Sequence, residues 1–390
     1  MTGVRDVPKT STMNGGSYSL REASAILAEN AAHTDRHASF PAESVAALRR
    51  AGVLNAACPT AHQGLGCSLE ELIRIGVELG RGCGSTAMIW AMHQVQVMCL
   101  VRHGGDHILD LVPSMVSGGT LVASVTSERG IGGSLRTSSA AVVPDGDMVR
   151  LEKRAPTVSY GAQAGAYLIT ARRTPEAPAT DQVAVYAEAN QVSLTPAGPD
   201  WNPMGMRGTC SPGFDVVATV PATHVLPVGF GEIAEATMVP LSHLLWTACW
   251  VGIATDAFRR AQSMVRQRTR SDGNHLEPRL AAAGAALAQT RALLTEAASR
   301  YQPIWADPAA LGAHGGPALT LLLNDLKMLA STSTVDVARL ALEICGMAGY
   351  SEDGPLSVAR HLRDLYSARL MIGNERLLST NARLSLMKKV

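Results

Sequence analysis

The hydrophobic period changes twice along this chain. Apolar residues recur at helical spacing from Ser19 to about Ser117 and alternate in short Val- and Thr-rich runs from about Thr120 to Pro227. From about Gly231 they return to helical spacing. A helix lines one face about every 3.6 residues and a strand every second residue, so a segment written in one period packs poorly in the other. The order helical, β, helical predicts an α+β chain in three parts. These are a helical domain over residues 1–118, a middle antiparallel β domain over 119–229 and a helical bundle over 230–390. The polar start MTGVRDVPKTSTMNGGS, residues 1–17, is expected to be disordered.

Local punctuation supports these spans. SLREASAILAENAAHTD opens with a Ser cap and a Glu three residues on, the two halves of a capping box. SFPAESVAALRRAG places Pro early and Gly just past the end. SLEELIRIGVELGRGCGSTAMIWAMHQVQVMCLVRHGG divides into two helices at GCG, and DGD between AVVP and MVRLEK predicts a hairpin turn. The C-terminal segments, such as ALTLLLNDLKMLASTSTVDVARLALEICG, are apolar on nearly every face and must be buried in a bundle or against another subunit.

Charge and cysteine content exclude several roles. A net charge of +1 with 17% charged residues gives no field for nucleic acid or acidic lipid. Seven cysteines without a CxxC pair fit free thiols in a reducing compartment, and neither a disulfide framework nor a metal site. LLWTACWVGIA is too short to span a membrane and the N-terminus has no apolar signal region, so the expected location is the cytoplasm.

Four motifs in fixed order carry a resemblance: GVLNAACPTAHQGLG, VTSERGIGGSLRTSSAAVVPDGD, WNPMGMRGTCSPGFDVVATVP and EICGMAGYSEDGPLSVARHLRD. With the three-part layout they resemble the acyl-CoA dehydrogenase superfamily over nearly the whole chain after about residue 18. The resemblance implies an N-terminal helical domain, a middle antiparallel β-barrel domain and a C-terminal four-helix bundle. It also implies a flavin, FAD or FMN, clamped between the β domain and the bundle of a homotetramer. A flat, mostly apolar ring edged with acceptors suits such a cleft. Carried over by position, the cofactor residues are Ser127, Glu128, Gly132, Gly133, Ser134, Ser159, Arg268, Glu343, Gly346 and Asn374. Arg268 would reach the cofactor phosphates of a partner chain. Gln63 stands where a second glycine is common, Glu343 replaces a common glutamine, and the aromatic usual near Ser159 is absent.

The resemblance places a dehydrogenase's catalytic base at Ile372 or, in some members, near Ser242 beside His243; neither position is acidic. Glu375 lies three residues late and reads first as a first-turn glutamate, favoured at a positive helix end. A general base contributes about 10²–10⁴ in rate, so its absence redirects the expected chemistry. RDLYSARLMIGNERLL, RGTCS and RAPTVSYGAQA are similar to the superfamily's flavin-dependent monooxygenase branch, whose members receive reduced flavin from a reductase. That chemistry needs a water-excluding cavity and one or two proton donors. His93 and Ser159 are the candidates, with Arg207, His243 and Ile372 as substrate contacts. Both His93 and His243 also fit as hydrogen-bonded core residues, and His62, His103, His107, His275 and His314 read as solvated. The expected activity is oxygenation of a small or natural-product-like substrate at carbon or nitrogen. The alternatives are an acyl-CoA or acyl-carrier-protein dehydrogenase with a displaced base, or an inactive subunit of a mixed oligomer.

Overall fold

A computed structural model describes residues 19–131, 135–273 and 276–387. The N-terminal part contains α1 (Leu20–His37), α2 (Ala42–Arg50), α3 (Leu69–Gly82), α4 (Gly84–His103) and α5 (Asp106–Ser117). The strands are β1 (Val122–Val125), β2 (Val143–Asp145), β3 (Met148–Ala155), β4 (Ala166–Arg172), β5 (Gln182–Glu188), β6 (Val192–Pro196) and β7 (Phe214–Pro221). Helices resume with α6 (Phe230–Ile233), α7 (Val239–Asp272), α8 (Pro278–Ala306), α9 (Leu311–His314), α10 (Pro317–Cys345), α11 (Met347–Tyr350), α12 (Ala359–Tyr366) and α13 (Asn374–Met387). The first 17 residues and Gly132, Gly133, Ser134 and His275 lie outside the described residues.

Local signals translate directly. Ser19 and Glu22 form the full capping box of α1, and Ser68 with Glu71 does the same for α3. Cys83 separates α3 from α4 at the GCG break. The DGD turn joins β2 to β3, with Asp145 opposite Met148 and Gly146 at φ 61°.

The β domain departs from the expected barrel. Its strands form two sheets, ordered β1-β4-β5 and β2-β3-β7-β6, that do not close on each other among the described residues. β1 also pairs with β4 in parallel, Val122 opposite Ala166. A parallel pair needs a long crossover, and here the connection carries the whole β2–β3 hairpin into the second sheet. Alternation along the chain could not show which strands would be neighbours.

In the bundle, α7, α8 and α10 pack along their lengths, while α12 and α13 share the fourth place against α10. The helical run Phe230–Ser271 is long and apolar enough to cross a membrane, which the reading of LLWTACWVGIA as short did not anticipate. Its most apolar window is 89% buried within the protein, as a core helix is.

Small residues dock the N-terminal helices on the bundle. A Cβ on Gly80 would lie 2.3 Å from the Cys249 carbonyl oxygen, and one on Gly252 would lie 2.3 Å from that of Val77. The α3–α7 crossing is therefore backbone against backbone. A second joint links all three parts. Arg363 on α12 binds the Asp35 carboxylate of α1 at 2.9 and 2.5 Å and the Met204 carbonyl at 3.0 Å. Its neighbour Asp364 accepts the Met206 N–H at 2.6 Å.

Gly80→Ala should force the α3–α7 crossing apart and destabilise the protein by about 1–3 kcal/mol, the usual overpacking cost. Thermal denaturation would register a lower midpoint, and an unchanged one would contradict the close crossing.

Candidate functional site

The rim of the β domain gathers hydroxyls. After β1 the chain turns, and Ser127 Oγ donates to the Thr157 carbonyl at 2.6 Å while accepting the Thr157 N–H at 3.3 Å. Two residues on, Ser159 Oγ receives Ser211 Oγ at 2.9 Å, and Ser211 lies 2.9 Å from Thr209 Oγ1. Thr209 Oγ1 in turn donates to the Met206 carbonyl at 2.9 Å. Tyr160, Met206 and Cys210 hold left-handed backbones (φ 44°, 53° and 41°) around this cluster. The Tyr160 N–H bridges the Thr209 and Cys210 carbonyls, at 2.7 and 3.0 Å. Side chains bearing a Cβ rarely sit at such angles, and strain of this kind persists where surrounding structure enforces it, often at functional sites.

Glu128 is placed differently from the expectation. Its carboxylate turns inward and accepts Ser138 Oγ (2.6 Å), the Ser139 and Ala140 N–H groups (both 2.8 Å) and the Ser139 hydroxyl. Lys153 Nζ stands 3.5 Å away. Burial pushes this carboxyl up, but bonds from Ser138 and Ser139 and the charge of Lys153 outweigh it and hold it below the ordinary range. Burial lowers Lys153 to about 8 despite the opposing pull of Glu128. The side chain is thus committed to the return of its own loop. Its position in a turn showed where the backbone passes but not where the carboxylate points.

His93 is a structural tie. It is fully buried, Nδ1 accepts the Val122 N–H at 3.1 Å, and Nε2 therefore donates to Asn55 Oδ1 at 3.0 Å. Burial and the charge of Arg49 pull it down to about 3, so it stays neutral. Both nitrogens are committed, which leaves none for a reacting atom and fits the core-residue alternative. It steadies the rim instead: Val122 also accepts the Tyr160 hydroxyl at 2.9 Å. Arg207 is a joint too, donating to the Asp35 carbonyl (2.6 Å), Asn202 (2.7 Å) and the Pro203 carbonyl (2.8 Å). His103, expected in solvent, is buried with Nε2 2.8 Å from Thr237 Oγ1.

Inside the bundle the structure joins Ile372 and Asn374 to a residue the sequence reading missed, whose charge also acts on His243. Lys327 is fully buried on α10, and its Nζ donates to the Ile372 carbonyl at 2.6 Å and Asn374 Oδ1 at 2.7 Å. Asn374 Nδ2 donates to Ser331 Oγ at 2.9 Å. Ile372 is held at φ 54°, an outlier for a β-branched residue. Burial, with help from Arg369, lowers Lys327 to about 8, and both of its hydrogen-bond acceptors are neutral. His243, also fully buried, is lowered to about 4 by burial and then by the charge of Lys327, against the pull of a hydrogen bond with Asn324. A signal was present: Asn324, Lys327 and Ser331 recur at three- and four-residue spacing and so share one face of α10.

The remaining candidates lie at another end of the bundle. Gly346 caps α10 at φ 58°, Glu343 pairs with Arg339 at 2.5 Å, and half-buried Arg268 acts on Cys345. No hydrogen bond or ion pair among the described residues directly joins these three to Ser127, Ser159 or Asn374.

Two family models match the chain: "Acyl-CoA dehydrogenase, N-terminal domain" over residues 21–119 and "Acyl-CoA dehydrogenase, C-terminal domain" over 235–383. The chain belongs to the acyl-CoA dehydrogenase superfamily. Within it, the chain is 23% identical over 362 residues to a Mycobacterium tuberculosis protein named "Probable acyl-CoA dehydrogenase FadE25", covering 90% of this chain and 89% of that one. It is 28% identical over 360 residues to the amino sugar nitrososynthase DnmZ of Streptomyces peucetius, covering 86% and 84%. The crystal structure of TdsC from Paenibacillus sp. A11-2 with FMN and indole shares the fold, with a TM-score of 0.81 at 19% identity over 95% and 96% of the two chains.

In this acyl-CoA dehydrogenase relative, both positions that the resemblance assigns to a base are non-acidic: Ile372 is half-buried and Ser242 buried. Glu375 is exposed on the first turn of α13. Gln63, in a glycine's usual place, adopts φ 65°, which explains why glycine is common there.

The Lys327 clamp has a pH signature. Its folded value, about 8, lies below its ordinary 10.5, so the unfolded chain binds more protons between those values and stability rises with pH across that window. Denaturant unfolding of wild type and Lys327→Met should diverge there. Wild-type stability relative to the variant should climb by up to about 1.4 kcal/mol per pH unit; parallel curves would mean that Lys327 is not held as a buried cation.

Proposed function

We propose that this protein is a flavin-dependent monooxygenase that uses reduced flavin and dioxygen to oxidise a small, natural-product-like substrate at carbon or nitrogen. The observation that carries the reading is the turn at Ile372. Where a dehydrogenase would keep a carboxylate there is an isoleucine, and the polar groups joined to that turn are a buried lysine, an asparagine and a serine. None of these removes a proton as an acyl-CoA dehydrogenase's carboxylate does. The likeness to an amino sugar nitrososynthase supports the same reading.

The residues present suit a flavin. Ser127, Ser159 and Ser211 put hydroxyls on a strained, rigid rim that matches a ring edged with acceptors and an N–H. Asn374 is pre-oriented by Lys327 and Ser331. Arg268, Glu343 and Gly346 would serve the cofactor of a neighbouring subunit, which is why we propose a homotetramer. When bound, the flavin supplies the electrons that dioxygen needs. The chain's own part is to orient substrate, exclude water and deliver a proton, for which the Ser159 hydroxyl, accepting from Ser211 and so free to donate, is the candidate. A separate reductase would provide the reduced flavin, in the cytoplasm.

The match to FadE25 supports a second reading, an acyl-CoA or acyl-carrier-protein dehydrogenase that uses Glu375 as a displaced base. The two are separated by one experiment. Protein loaded with anaerobically reduced FMN or FAD is mixed with oxygenated buffer containing a nucleotide-linked amino sugar or indole. We expect an oxygenated product by mass spectrometry. Bleaching of oxidised flavin by a thioester such as butyryl-CoA, without reductase and abolished by Glu375→Gln, would overturn the proposal.

A further inference from the structure

α1, the loop before β7 and the start of α12 meet around a cavity of about 360 Å³, a size at which small ligands bind. Four guanidinium groups face it, those of Arg36, Arg207, Arg360 and Arg363, against the carboxylates of Asp35, Glu352 and Asp353. All three carboxylates are engaged. Both Asp35 oxygens and Glu352 bind Arg363, at 2.9, 2.5 and 2.8 Å, and Asp353 binds Arg36 at 2.8 Å. Two arginines are left without an acid. Arg207 is held by neutral oxygens through Nε and Nη1, and its Nη2 makes no hydrogen bond among the described residues. Half-buried Arg360 makes no hydrogen bond or ion pair with any described residue. Asp364, which feels the charge of Arg360, is turned to the Met206 N–H instead. Arg363 adds a buried Nε–H that has no acceptor among the described residues.

A guanidinium keeps its charge at every working pH, so either an anion or water must answer it. A flexible surface arginine takes water at little cost. Arg207 differs, because three hydrogen bonds fix its plane and leave the Nη2 edge unused. A fixed fork of this kind meets a carboxylate with little further loss of freedom, and such charge-assisted bonds are about twice as strong as neutral ones. The cavity carries an excess of one positive charge, which suits a monoanion; a second negative charge would stand among the three acids. The rest of the wall is apolar. Ala32, Pro203 and Met204 supply it, and Met204 is left 55% exposed.

We infer that this cavity binds a small organic monoanion, its carboxylate held by Arg207 and Arg360 and its apolar body laid against Pro203 and Met204. The walls are the residues of the interdomain joint: Arg363 binds the Asp35 carboxylate and the Met204 carbonyl, and Arg207 binds the Asp35 carbonyl. An occupant shared by Arg207 on the β-domain loop and Arg360 on α12 therefore fastens the same parts, and stabilises the folded arrangement that binds it. The inference stands on these residues alone and holds for either reaction considered above.

Isothermal titration calorimetry of the full-length protein in phosphate-free buffer tests it, with benzoate as the probe, benzamide as its neutral isostere and inorganic phosphate as the competing oxyanion. Benzoate should bind at one site, and benzamide about tenfold more weakly or worse. Arg360→Gln should weaken benzoate about tenfold or more, while Arg360→Lys, which keeps the charge, should weaken it less. Met204→Ser should weaken benzoate and leave acetate unchanged. Saturating benzoate should raise the melting temperature of wild type but not of Arg360→Gln. Loading with FMN beforehand should leave the benzoate affinity as it was. Absence of benzoate binding, or equal binding of benzamide, would overturn the inference, and neither result depends on a variant that folds. Equal benzoate affinity in wild type and Arg360→Gln would overturn it as well. Phosphate binding tighter than benzoate would overturn the assignment to a carboxylate. Loss of benzoate binding on FMN loading would place the probe in the flavin cleft and also count against the cavity.

Discussion

The Arg363–Asp364 pair is the joint on which the arrangement depends. Arg363 reaches α1 through Asp35 and the β domain through the Met204 carbonyl, and Asp364 holds the Met206 N–H. The packing leaves room for little else: a Cβ on Gly205 would lie 2.1 Å from the Arg363 carbonyl oxygen, and one on Gly84 would lie 2.9 Å from Asp364 Oδ2. Burial raises Asp364 to about 6 against the Met206 hydrogen bond and the Arg360 charge. Maintaining a carboxylate there is costly, and the Met206 hydrogen bond and the Arg360 charge offset part of that cost. The joint continues into the candidate site, since Met206 accepts Thr209 Oγ1, Thr209 meets Ser211, and Ser211 donates to Ser159. Ser159 thus stands at the end of a run of polar contacts that begins on α12.

That path bears on what a family motif means. RGTCS and Arg-Asp were legible as motifs and invited assignment to chemistry. In the structure Arg207 is spent on Asp35, Asn202 and Pro203, and Arg363 on Asp35, Glu352 and Met204. Their fixed order along the chain reflects the geometry of an interdomain joint. The same holds for Glu128, which closes its own loop, and His93, which ties α4 to β1.

What was legible followed from local chemistry. The capping boxes at Ser19 and Ser68, the break at Cys83 and the turn at Gly146 each depend on a few neighbouring residues, so the sequence displays them. The sheet order was not legible, because β1 could be assigned a partner only once the crossover through β2 and β3 was known. For the same reason Lys327 escaped notice as a site residue. A lysine in an apolar helix reads as an exposed position until the Ile372 turn, 45 residues away in sequence, is seen to cover it. Side-chain direction, decided by tertiary packing, is where the reading of the site stopped.

The costs in this molecule are not spread evenly. A buried lysine held by neutral acceptors and an isoleucine in the left-handed region belong to one region, the contact of α10 with the Ile372 turn. The rim of the β domain adds Tyr160, Met206 and Cys210. Departures from good local structure persist when they serve a function and are offset elsewhere. Here the offset is visible in the close backbone packing of the α3–α7 glycine crossing and in the hydrogen bonds of the Arg363 joint. Lys327 itself donates to two neutral acceptors, the Ile372 carbonyl and Asn374 Oδ1, so dipoles rather than a carboxylate hold it in place.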